Sequence, residues 1–340
     1  MTVGKRIKTA AAGALLASLA GCLVLLLASV LRSITVICLI ICAVIFVIAF
    51  VLMHILEGKP SKVRIPVFII LAVIGICTVL SITVYDIGKK MVFRPNFSED
   101  DYETLSELKD EAVIIEADGL SGWRIPASAI PDDKPRRVIL YFGGNGEDSS
   151  RKVLYILEHE ELSFLHNTCD FIFIDYPSYG NSEGDLSEDL IEEFAVNAYD
   201  IVRSLDTTSQ VTVLSYSLGN GPAVYLASRE DADIDRLVLL APYYSGYDLY
   251  NSVLNIFHGP LKLLVAYKMP VYRFAPDVRC KVTIIASADD EIIPISSSRA
   301  LFTELTGSNA DFITVEETGH NDMFEDENVL DALAGALEVN

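Results

Sequence analysis

Long apolar stretches dominate the first quarter of the chain. Residues 9–31, 34–56 and 65–85 contain no Asp, Glu, Lys or Arg. Each has about 20 residues, the length that an α-helix needs to cross about 30 Å of hydrocarbon. A signal peptide followed by buried core helices would begin with a shorter apolar run, of only about 7–15 residues. The pattern therefore predicts three transmembrane helices, which together form a membrane anchor over residues 1–86.

The rest of the chain alternates between apolar runs of strand length and amphipathic stretches of helix length. The predicted strands cover residues 113–116, 122–124, 137–142, 170–175, 211–214, 236–240, 281–286 and 312–315. The predicted helices cover residues 148–159, a stretch that begins at Ser187, and residues 219–228, 297–305 and 326–337. Strands that are apolar at nearly every position indicate a mostly parallel sheet with helices on both faces. Residues 87–340 are therefore predicted to form an α/β domain with its working site at the carboxyl ends of the strands.

The charge of the chain divides along the same line. Residues 1–86 hold seven Lys and Arg against two Asp and Glu, a net charge of +5. The whole chain carries −21, so −26 remains for residues 87–340. A domain this acidic repels phosphate backbones, which argues against nucleic acid as a partner.

Positive charge beside the apolar stretches predicts their orientation, because Lys and Arg accumulate on the cytoplasmic side. The N-terminal segment and the connection between the second and third stretches hold six such residues: Lys5, Arg6, Lys8, Lys59, Lys62 and Arg64. The opposite side holds four: Arg32, Lys89, Lys90 and Arg94. This bias favours a cytoplasmic N-terminus. We therefore expect a multi-pass protein of the cell membrane whose large domain faces the extracytoplasmic side.

The sequence contains no motif for a metal or a cofactor, and none is expected. No Cys/His spacing suggests a zinc site. Four cysteines lie in the apolar stretches, and Cys169 and Cys280 each open a predicted strand. Sequence alone leaves open whether these two form a bridge.

The segment Ser215-Tyr216-Ser217-Leu218-Gly219 joins a predicted strand directly to a predicted helix. A turn this sharp strains its central residue and leaves room only for small residues two positions before and after it. This is the arrangement of the nucleophile elbow, G-x-S-x-G, with Ser215 in place of the first glycine. Ser217 is therefore the candidate nucleophile. A serine-rich helix N-cap would produce a similar pentapeptide.

A serine nucleophile needs a base, and five histidines are available. Four of them are poorly placed, in an apolar stretch, at the opposite edge of the sheet or in an excursion after the sixth strand: His54, His159, His166 and His258. Only His320 lies on a loop that follows the carboxyl end of a predicted strand. His320 is therefore the candidate base.

The base must be oriented by a carboxylate. The loop after the seventh predicted strand offers Asp289, Asp290 and Glu291. An elbow serine is expected to be followed first by the acid and then by the histidine. Ser217, Asp290 and His320 satisfy that order.

An acyl-transfer site also needs two backbone N–H groups to bind the oxyanion. The residue after the nucleophile, Leu218, would supply one. The loop Gly143-Gly144-Asn145-Gly146, after the third predicted strand, would supply the other from Gly144 or Asn145. A phosphate cradle is the alternative use of such a loop, but the lysine and glycine spacings of nucleotide-binding loops are missing.

The chain resembles the α/β-hydrolase superfamily from about Met91 to its C-terminus. More narrowly, it resembles the membrane-anchored hydrolase-domain proteins of the serine aminopeptidase-like and Bem46-like group. Five segments carry the resemblance: YFGGN at 141–145, DYPSYG at 175–180, SYSLG at 215–219, DEIIP at 290–294 and GH at 319–320. The family pattern D-x-x-[VI]-P places the triad acid first, which selects Asp290. The family's H-G-N loop begins with histidine where this chain has Gly143, and it implies Asn145 as the second oxyanion donor.

The resemblance implies the α/β-hydrolase fold with a short lid over residues 243–277. This lid is rich in Tyr, Phe, Leu and Val, and the sequence leaves open whether it lines an acyl pocket or packs against the sheet. The expected function is a membrane-anchored serine hydrolase that cleaves a small or lipid-like acyl ester or thioester. A serine peptidase or amidase of the same fold is the alternative enzyme, because the fold does not choose among these substrates.

Two hypotheses from other classes remain open at this stage. The domain could be a catalytically silent interaction module tethered to the membrane, although every triad position holds a competent residue. The apolar stretches could serve transport, but they lack the acidic and basic residues at mid-membrane depth that transport requires. Their short connections favour an anchor, and protein partners are unknown.

Overall fold

The computed structural model describes residues 43–45, 47–49, 51–52, 55–56, 60–131 and 134–339. These residues divide into two compact units, with the boundary between Lys89 and Lys90. Each unit is described by itself below.

The first unit contains helix α1, Ser61–Val92, whose last residues continue into the second unit. Within α1, Ile65–Tyr85 is long and apolar enough to cross a membrane, and it is the one such helix among the described residues. The predicted helix over residues 9–31 lies outside the described residues, as does most of the one over residues 34–56. The described part of the chain therefore provides one candidate span where the sequence predicts three.

The second unit is built on an eight-stranded sheet, mostly parallel as predicted. The strands are β1 Val113–Ala117, β2 Leu120–Ile125, β3 Arg136–Phe142, β4 Cys169–Ile174, β5 Thr208–Tyr216, β6 Ile234–Leu240, β7 Lys281–Ser287 and β8 Ala310–Val315. Their order across the sheet is β1-β2-β4-β3-β5-β6-β7-β8. Strand β2 pairs antiparallel with both β1 and β4, and all other pairs are parallel. The parallel part therefore brings six carboxyl strand ends to one edge.

Helices cover both faces of this sheet. They are α2 Glu99–Glu107, α3 Ser149–Glu158, α4 Phe164–Asn167, α5 Glu188–Arg203, α6 Asn220–Ala227, α7 Gly246–Val253, α8 Ile295–Glu304 and α9 Glu327–Leu337. Tyr141 belongs to a core cluster with Val153 of α3 and Leu333 of α9. The next residue of β3, Phe142, packs its ring against Phe194 of α5. Because successive strand residues point to opposite faces, α5 lies on the other side from α3 and α9.

The central strands are buried along nearly their whole length, which explains their unbroken apolar sequences. The sequence underestimates β5, predicted over residues 211–214, because its ends are polar. Ser215 and Tyr216 nevertheless continue the pairing with Leu239 and Leu240 of β6. Cys169 and Cys280, whose pairing the sequence leaves open, are free thiols.

Candidate active site

The elbow lies where β5 ends and a single turn, Ser217–Gly219, leads into α6. Ser217 has a φ of 51°, the left-handed region that serine rarely adopts. Such a residue persists only where its surroundings impose the conformation, and it marks functional sites. The strain that the pentapeptide predicts is therefore present at Ser217.

The requirement for small residues around Ser217 has a direct steric cause. A Cβ added to Gly219 would come within 2.0 Å of the carbonyl oxygen of Phe142, so only glycine fits there. Two positions before the nucleophile, Ser215 is fully buried and donates its hydroxyl to Asn220 Oδ1 at 2.9 Å. Asn220 Nδ2 donates to the carbonyl oxygens of Ser217 at 2.8 Å and Leu240 at 2.9 Å. Ser215 and Asn220 therefore brace the elbow from inside the protein.

The structure brings Ser217, His320 and Asp290 together. His320 Nε2 lies 2.9 Å from Ser217 Oγ, and His320 Nδ1 lies 2.7 Å from Asp290 Oδ2. An ionised carboxylate only accepts hydrogen bonds, so Nδ1 carries the ring proton and Nε2 is left as an acceptor for the serine hydroxyl. All three residues are buried, and Ser217 keeps 8% of its surface exposed.

The three acids of the loop after β7 have separate partners. Asp290 Oδ1 accepts the backbone N–H groups of Ile292 and Ile293 at 2.9 and 2.7 Å, which leaves Oδ2 facing His320. Asp289 Oδ2 accepts the N–H of Glu317 at 2.8 Å. Glu291 Oε2 accepts the backbone N–H of His320 at 3.1 Å.

Tyr216 holds His320 from another side. Its hydroxyl donates to the carbonyl oxygen of His320 at 2.6 Å, and the two rings stack with their centroids 5.2 Å apart. Burial, together with the negative charges of Glu147 and Asp290, raises the pKa of Tyr216. The hydroxyl therefore stays protonated and remains a donor across the ordinary pH range. In the sequence, Tyr216 is only the variable position of the elbow, and no local pattern indicates this role.

The loop after β3 is held by the partly buried carboxylate of Glu147. The N–H of Gly144 donates to Glu147 Oε2 at 2.7 Å, and Tyr141 donates its hydroxyl to the same oxygen at 2.8 Å. Lys152 Nζ lies 3.0 Å from Glu147 Oε1 and 3.5 Å from the centroid of the Phe324 ring. Burial alone would raise the pKa of Glu147, but the charge of Lys152 and these hydrogen bonds more than offset it and lower that pKa.

This geometry corrects the prediction for Gly144, whose N–H is already bonded to Glu147 rather than directed at an oxyanion. The structure also accounts for Gly143 where the family resemblance leads one to expect histidine. A Cβ at Gly143 would lie 2.4 Å from Phe173 Cζ, so the ring of Phe173 occupies that space.

Asn145 uses its side chain to fasten the loop to the segment that follows α1. We call residues 93–96 the linker segment. Asn145 Oδ1 accepts the backbone N–H of Arg94 at 2.9 Å and the hydroxyl of Tyr179 at 3.0 Å. Asn96 Nδ2 donates to the carbonyl oxygen of Gly146 at 3.1 Å. The linker segment thus supports two adjacent residues of the loop.

Comparison with known proteins agrees with this arrangement of strands and loops. No family model matches the chain. The alpha/beta hydrolase domain-containing protein aho-3 of Caenorhabditis elegans is 28% identical over 187 residues, which cover 54% of this chain and 52% of that protein. The match thus spans about half the length of that relative. An esterase of Pyrococcus furiosus superposes with a TM-score of 0.56 at 14% identity, covering 73% of this chain and 97% of the esterase. The chain has the α/β-hydrolase fold.

A further solved structure shares this fold. Est1E of Butyrivibrio proteoclasticus, solved with ferulic acid bound, superposes with a TM-score of 0.50 at 17% identity. The superposed region covers 66% of this chain and 99% of Est1E. The α/β-hydrolase fold places the loops after β3, β5, β7 and β8 at one edge of the sheet. The side chains described above gather at that edge.

The segment predicted as the lid, residues 243–277, contains α7 and three short turns, Gly259–Leu264, Val271–Arg273 and Ala275–Asp277. The first residue of this segment contacts the elbow: the Tyr243 hydroxyl donates to the carbonyl oxygen of Leu218 at 3.3 Å. Its second half is tied to α5, where Glu188 accepts the N–H groups of Lys268 and Met269 at 2.9 and 2.8 Å. Both ends of the lid are therefore fixed to the sheet and its helices.

Proposed function

We propose that this protein is a membrane-anchored serine hydrolase that cleaves an acyl ester or thioester. The observation that carries the proposal is the pair of contacts made by His320, 2.9 Å to Ser217 Oγ and 2.7 Å to Asp290 Oδ2. Together with the φ of 51° at Ser217, this is the geometry of a serine activated by an oriented imidazole. The esterases that share the fold support the proposal by analogy only.

The chemistry follows from these contacts. Ser217 Oγ forms a bond to the acyl carbon while His320 Nε2 takes the hydroxyl proton, and the carbonyl oxygen becomes an oxyanion. The carbon–oxygen or carbon–sulfur bond to the leaving group then breaks, and His320 delivers the proton to the departing alkoxide or thiolate. Asp290 stabilises the imidazolium in both steps.

The acyl group is released by the same base. Water attacks the acyl-Ser217 ester as His320 takes one of its protons, the ester bond breaks, and His320 returns the proton to Ser217 Oγ. The N–H groups of Leu218 and Asn145 are the proposed oxyanion donors, and Gly144 is not. Such donors typically contribute about 2.7–4 kcal/mol each to transition-state stabilisation.

Anchoring is proposed from the apolar stretches. Ile65–Tyr85 supports one span directly, and the sequences of residues 9–31 and 34–56 support two more. With three spans and the bias in positive charge, the domain would face the extracytoplasmic side. Glycosylation sites introduced singly at exposed positions of the domain would test this: modification in a secretory membrane system is expected, and none would place the domain in the cytoplasm.

The catalytic proposal is tested by fluorophosphonate labelling of the full chain in lipid nanodiscs. Wild-type protein should be labelled, and Ser217→Ala should not. Ser215→Ala is the comparison within the elbow: it keeps the proposed nucleophile and should still be labelled, although more slowly, because Asn220 loses the hydroxyl that donates to it. A folded wild type that takes up no label would favour a silent tethered module instead. Ester, thioester and amide substrates of increasing acyl length would then separate a carboxylic ester hydrolase from a peptidase or amidase.

A further inference from the structure

The middle of the lid exposes large apolar side chains. We call residues 254–264 the lid loop. Leu254 is 54% exposed, Ile256 41%, Leu261 45% and Leu263 84%. Among the described residues beyond Phe93, nine large apolar side chains are exposed, and these four fall within eleven residues. Single exposed apolar residues are ordinary, but a cluster of this kind marks an interaction surface.

The lid loop also has a defined inner side. Phe257 is 4% exposed, and its ring packs edge-on against Tyr250 of α7 with the centroids 5.4 Å apart. The N–H of Phe257 donates to Asn251 Oδ1 at 2.9 Å, and Val265 is buried just after the loop. These contacts fix the loop to the lid. The four exposed residues therefore lie on a loop that the fold holds in place, and we call them its outer face.

The charge of the lid loop differs from that of the domain around it. Residues 87–340 carry −26, whereas residues 254–264 contain Lys262, His258 and no acidic residue. Lys262 Nζ lies 5.1 Å from the ring centroid of Tyr247, beside the apolar face. An apolar face with adjacent positive charge is complementary to a lipid surface with anionic headgroups, from which the rest of the domain is repelled.

Only a short length of chain connects the lid contact at Phe93 to the proposed anchor. Phe93 packs edge-on against Tyr267 of the lid, with ring centroids 4.8 Å apart. Tyr85 ends the apolar stretch of α1, eight residues before Phe93. Eight residues reach at most about 30 Å in any conformation. If Ile65–Tyr85 spans the bilayer, Tyr267 lies within reach of the membrane surface.

We propose that the lid loop rests in the headgroup region of the bilayer that holds the anchor. The proposal relies on the membrane anchoring proposed above. In this position the exposed leucines would contact lipid headgroups and acyl chains. Lys262 would lie beside anionic headgroups. The lid begins at Tyr243, whose hydroxyl donates to the carbonyl oxygen of Leu218, so the lid that carries this surface starts beside the elbow. The substrate class that fits is a lipid ester or thioester taken from the bilayer.

The test uses tryptophan fluorescence of the full chain reconstituted in vesicles. The chain has a single tryptophan, Trp123, which is buried at 3% exposure and gives a fixed baseline. Leu263→Trp adds a probe to the outer face. Val113→Trp adds a matched probe at a 41% exposed position of β1, at the edge of the sheet. Vesicles contain phosphatidylcholine and phosphatidylglycerol, with the phosphatidylcholine acyl chains either brominated or not.

Brominated lipid should remove about half of the added emission of Leu263→Trp, because an interfacial side chain lies within about 5–10 Å of the acyl boundary. It should leave Val113→Trp unchanged. If Leu263→Trp co-floats with the vesicles but emits equally with brominated and non-brominated lipid, the proposal is overturned. A blue shift without quenching would also overturn it, since protein rather than lipid would then cover the loop. Protein that fails to co-float would overturn the anchoring as well.

A second pair of measurements separates the lid from the chemistry. Leu261→Ser/Leu263→Ser should lower the rate on a long-chain ester held in the bilayer by about tenfold, and leave a short soluble ester unchanged. Equal losses on both substrates would contradict the proposal. Quenching at Leu263→Trp in a protein that hydrolyses neither ester would support the lid surface while refuting the hydrolase.

Discussion

Ser215 Oγ donates a hydrogen bond of 2.9 Å to Asn220 Oδ1, and both side chains are fully buried. Asn220 in turn donates to the carbonyl oxygen of Ser217, the residue with the left-handed φ. The serine that replaces the usual glycine is thus more than a small residue that lets the turn close. It is the partner of the side chain that holds the strained turn in place.

This pair predicts energetic coupling between two buried positions. Ser215→Ala leaves the buried Asn220 oxygen without its partner, which costs about 1–3 kcal/mol of unfolding free energy. Asn220→Ala should cost at least as much and slow fluorophosphonate labelling more, because the carbonyl of Ser217 loses its donor. In a double-mutant cycle the two changes should couple by about 1 kcal/mol. Additive losses would mean that the two residues act independently.

From the close packing around Gly219 we expect that no larger residue fits at this position of the elbow. Gly219→Ala places a Cβ 2.0 Å from the Phe142 carbonyl oxygen, so the turn must shift. We expect a loss of about 3 kcal/mol in unfolding free energy, together with loss of labelling. Gly335→Ala, in α9, is the control, because an added Cβ there meets nothing within 4 Å. Chemical unfolding followed by circular dichroism measures both, and equal effects would refute the steric argument.

From the ion pair between Glu147 and Lys152 we expect the loop after β3 to depend on charge compensation for its stability. Glu147→Gln keeps an acceptor for the Gly144 N–H but leaves Lys152 as an uncompensated, mostly buried charge. Breaking such a pair from one side should cost about 3 kcal/mol in unfolding free energy. Glu147→Gln/Lys152→Met should recover most of that stability, because no buried charge remains. A double variant as unstable as the single one would show that the charge pair is not the cause.

From the burial of Asp175 we expect the unfolding free energy to depend on pH. Burial raises its pKa from the ordinary 3.8 to about 7, although Ser149 donates two hydrogen bonds to it. Between pH 4 and 7 the unfolded chain has lost this proton while the folded chain keeps it, so stability falls as pH rises. The contribution is fully present below about pH 4 and lost by about pH 7, and amounts to about 4 kcal/mol.

Asp175→Asn should remove this component, because an amide does not titrate. The unfolding free energy of wild type minus that of Asp175→Asn should therefore decrease by several kcal/mol between pH 4 and pH 7. Asp118→Asn, at an exposed turn, is the control and should give a constant difference. A constant difference for Asp175→Asn as well would place its carboxyl in a more polar site than the structure indicates.

From the contacts of the linker segment we expect a residue close in sequence to the proposed anchor to affect the proposed catalysis. Asn96→Ala removes the donor to the carbonyl oxygen of Gly146, next to the proposed oxyanion donor Asn145. Because catalysis is sensitive to small displacements of donors, we expect labelling about tenfold slower with little change in melting temperature. Asn309→Ala, at an exposed position just before β8, should leave the rate unchanged. Equal rates for all three proteins would refute the positioning role.

The sequence predicts those parts of the fold that depend on local pattern. Apolar runs locate the eight strands because parallel strands are buried on both faces. Carboxyl-end loops locate Ser217, His320 and the acidic loop after β7, because topology fixes which loops meet. The choice of Asp290 within that loop comes from the family resemblance. The ends of β5 are missed because their pairing is made by the backbone and leaves no apolar signal.

The supporting residues could not be predicted for a different reason. Asn220, Tyr216 and Glu147 act through contacts between segments, and nothing in their local sequence distinguishes them from ordinary polar positions. Gly144 is predicted wrongly as an oxyanion donor because the sequence does not show that Glu147, three residues later, turns back to accept its N–H. The linker segment is missed because it lies in a stretch with no periodicity, 51 residues before the loop it supports.

The linker segment also affects where the chain can be cut between the proposed anchor and the α/β domain. A protease that cut the chain just before Phe93 would release a domain with Arg94 and Asn96 still bonded to the loop after β3. A cut only four residues later would release a domain of almost the same mass without those two partners. For the proposed membrane-anchored hydrolase, the choice between neighbouring peptide bonds would therefore decide whether the released domain keeps the support of the loop after β3.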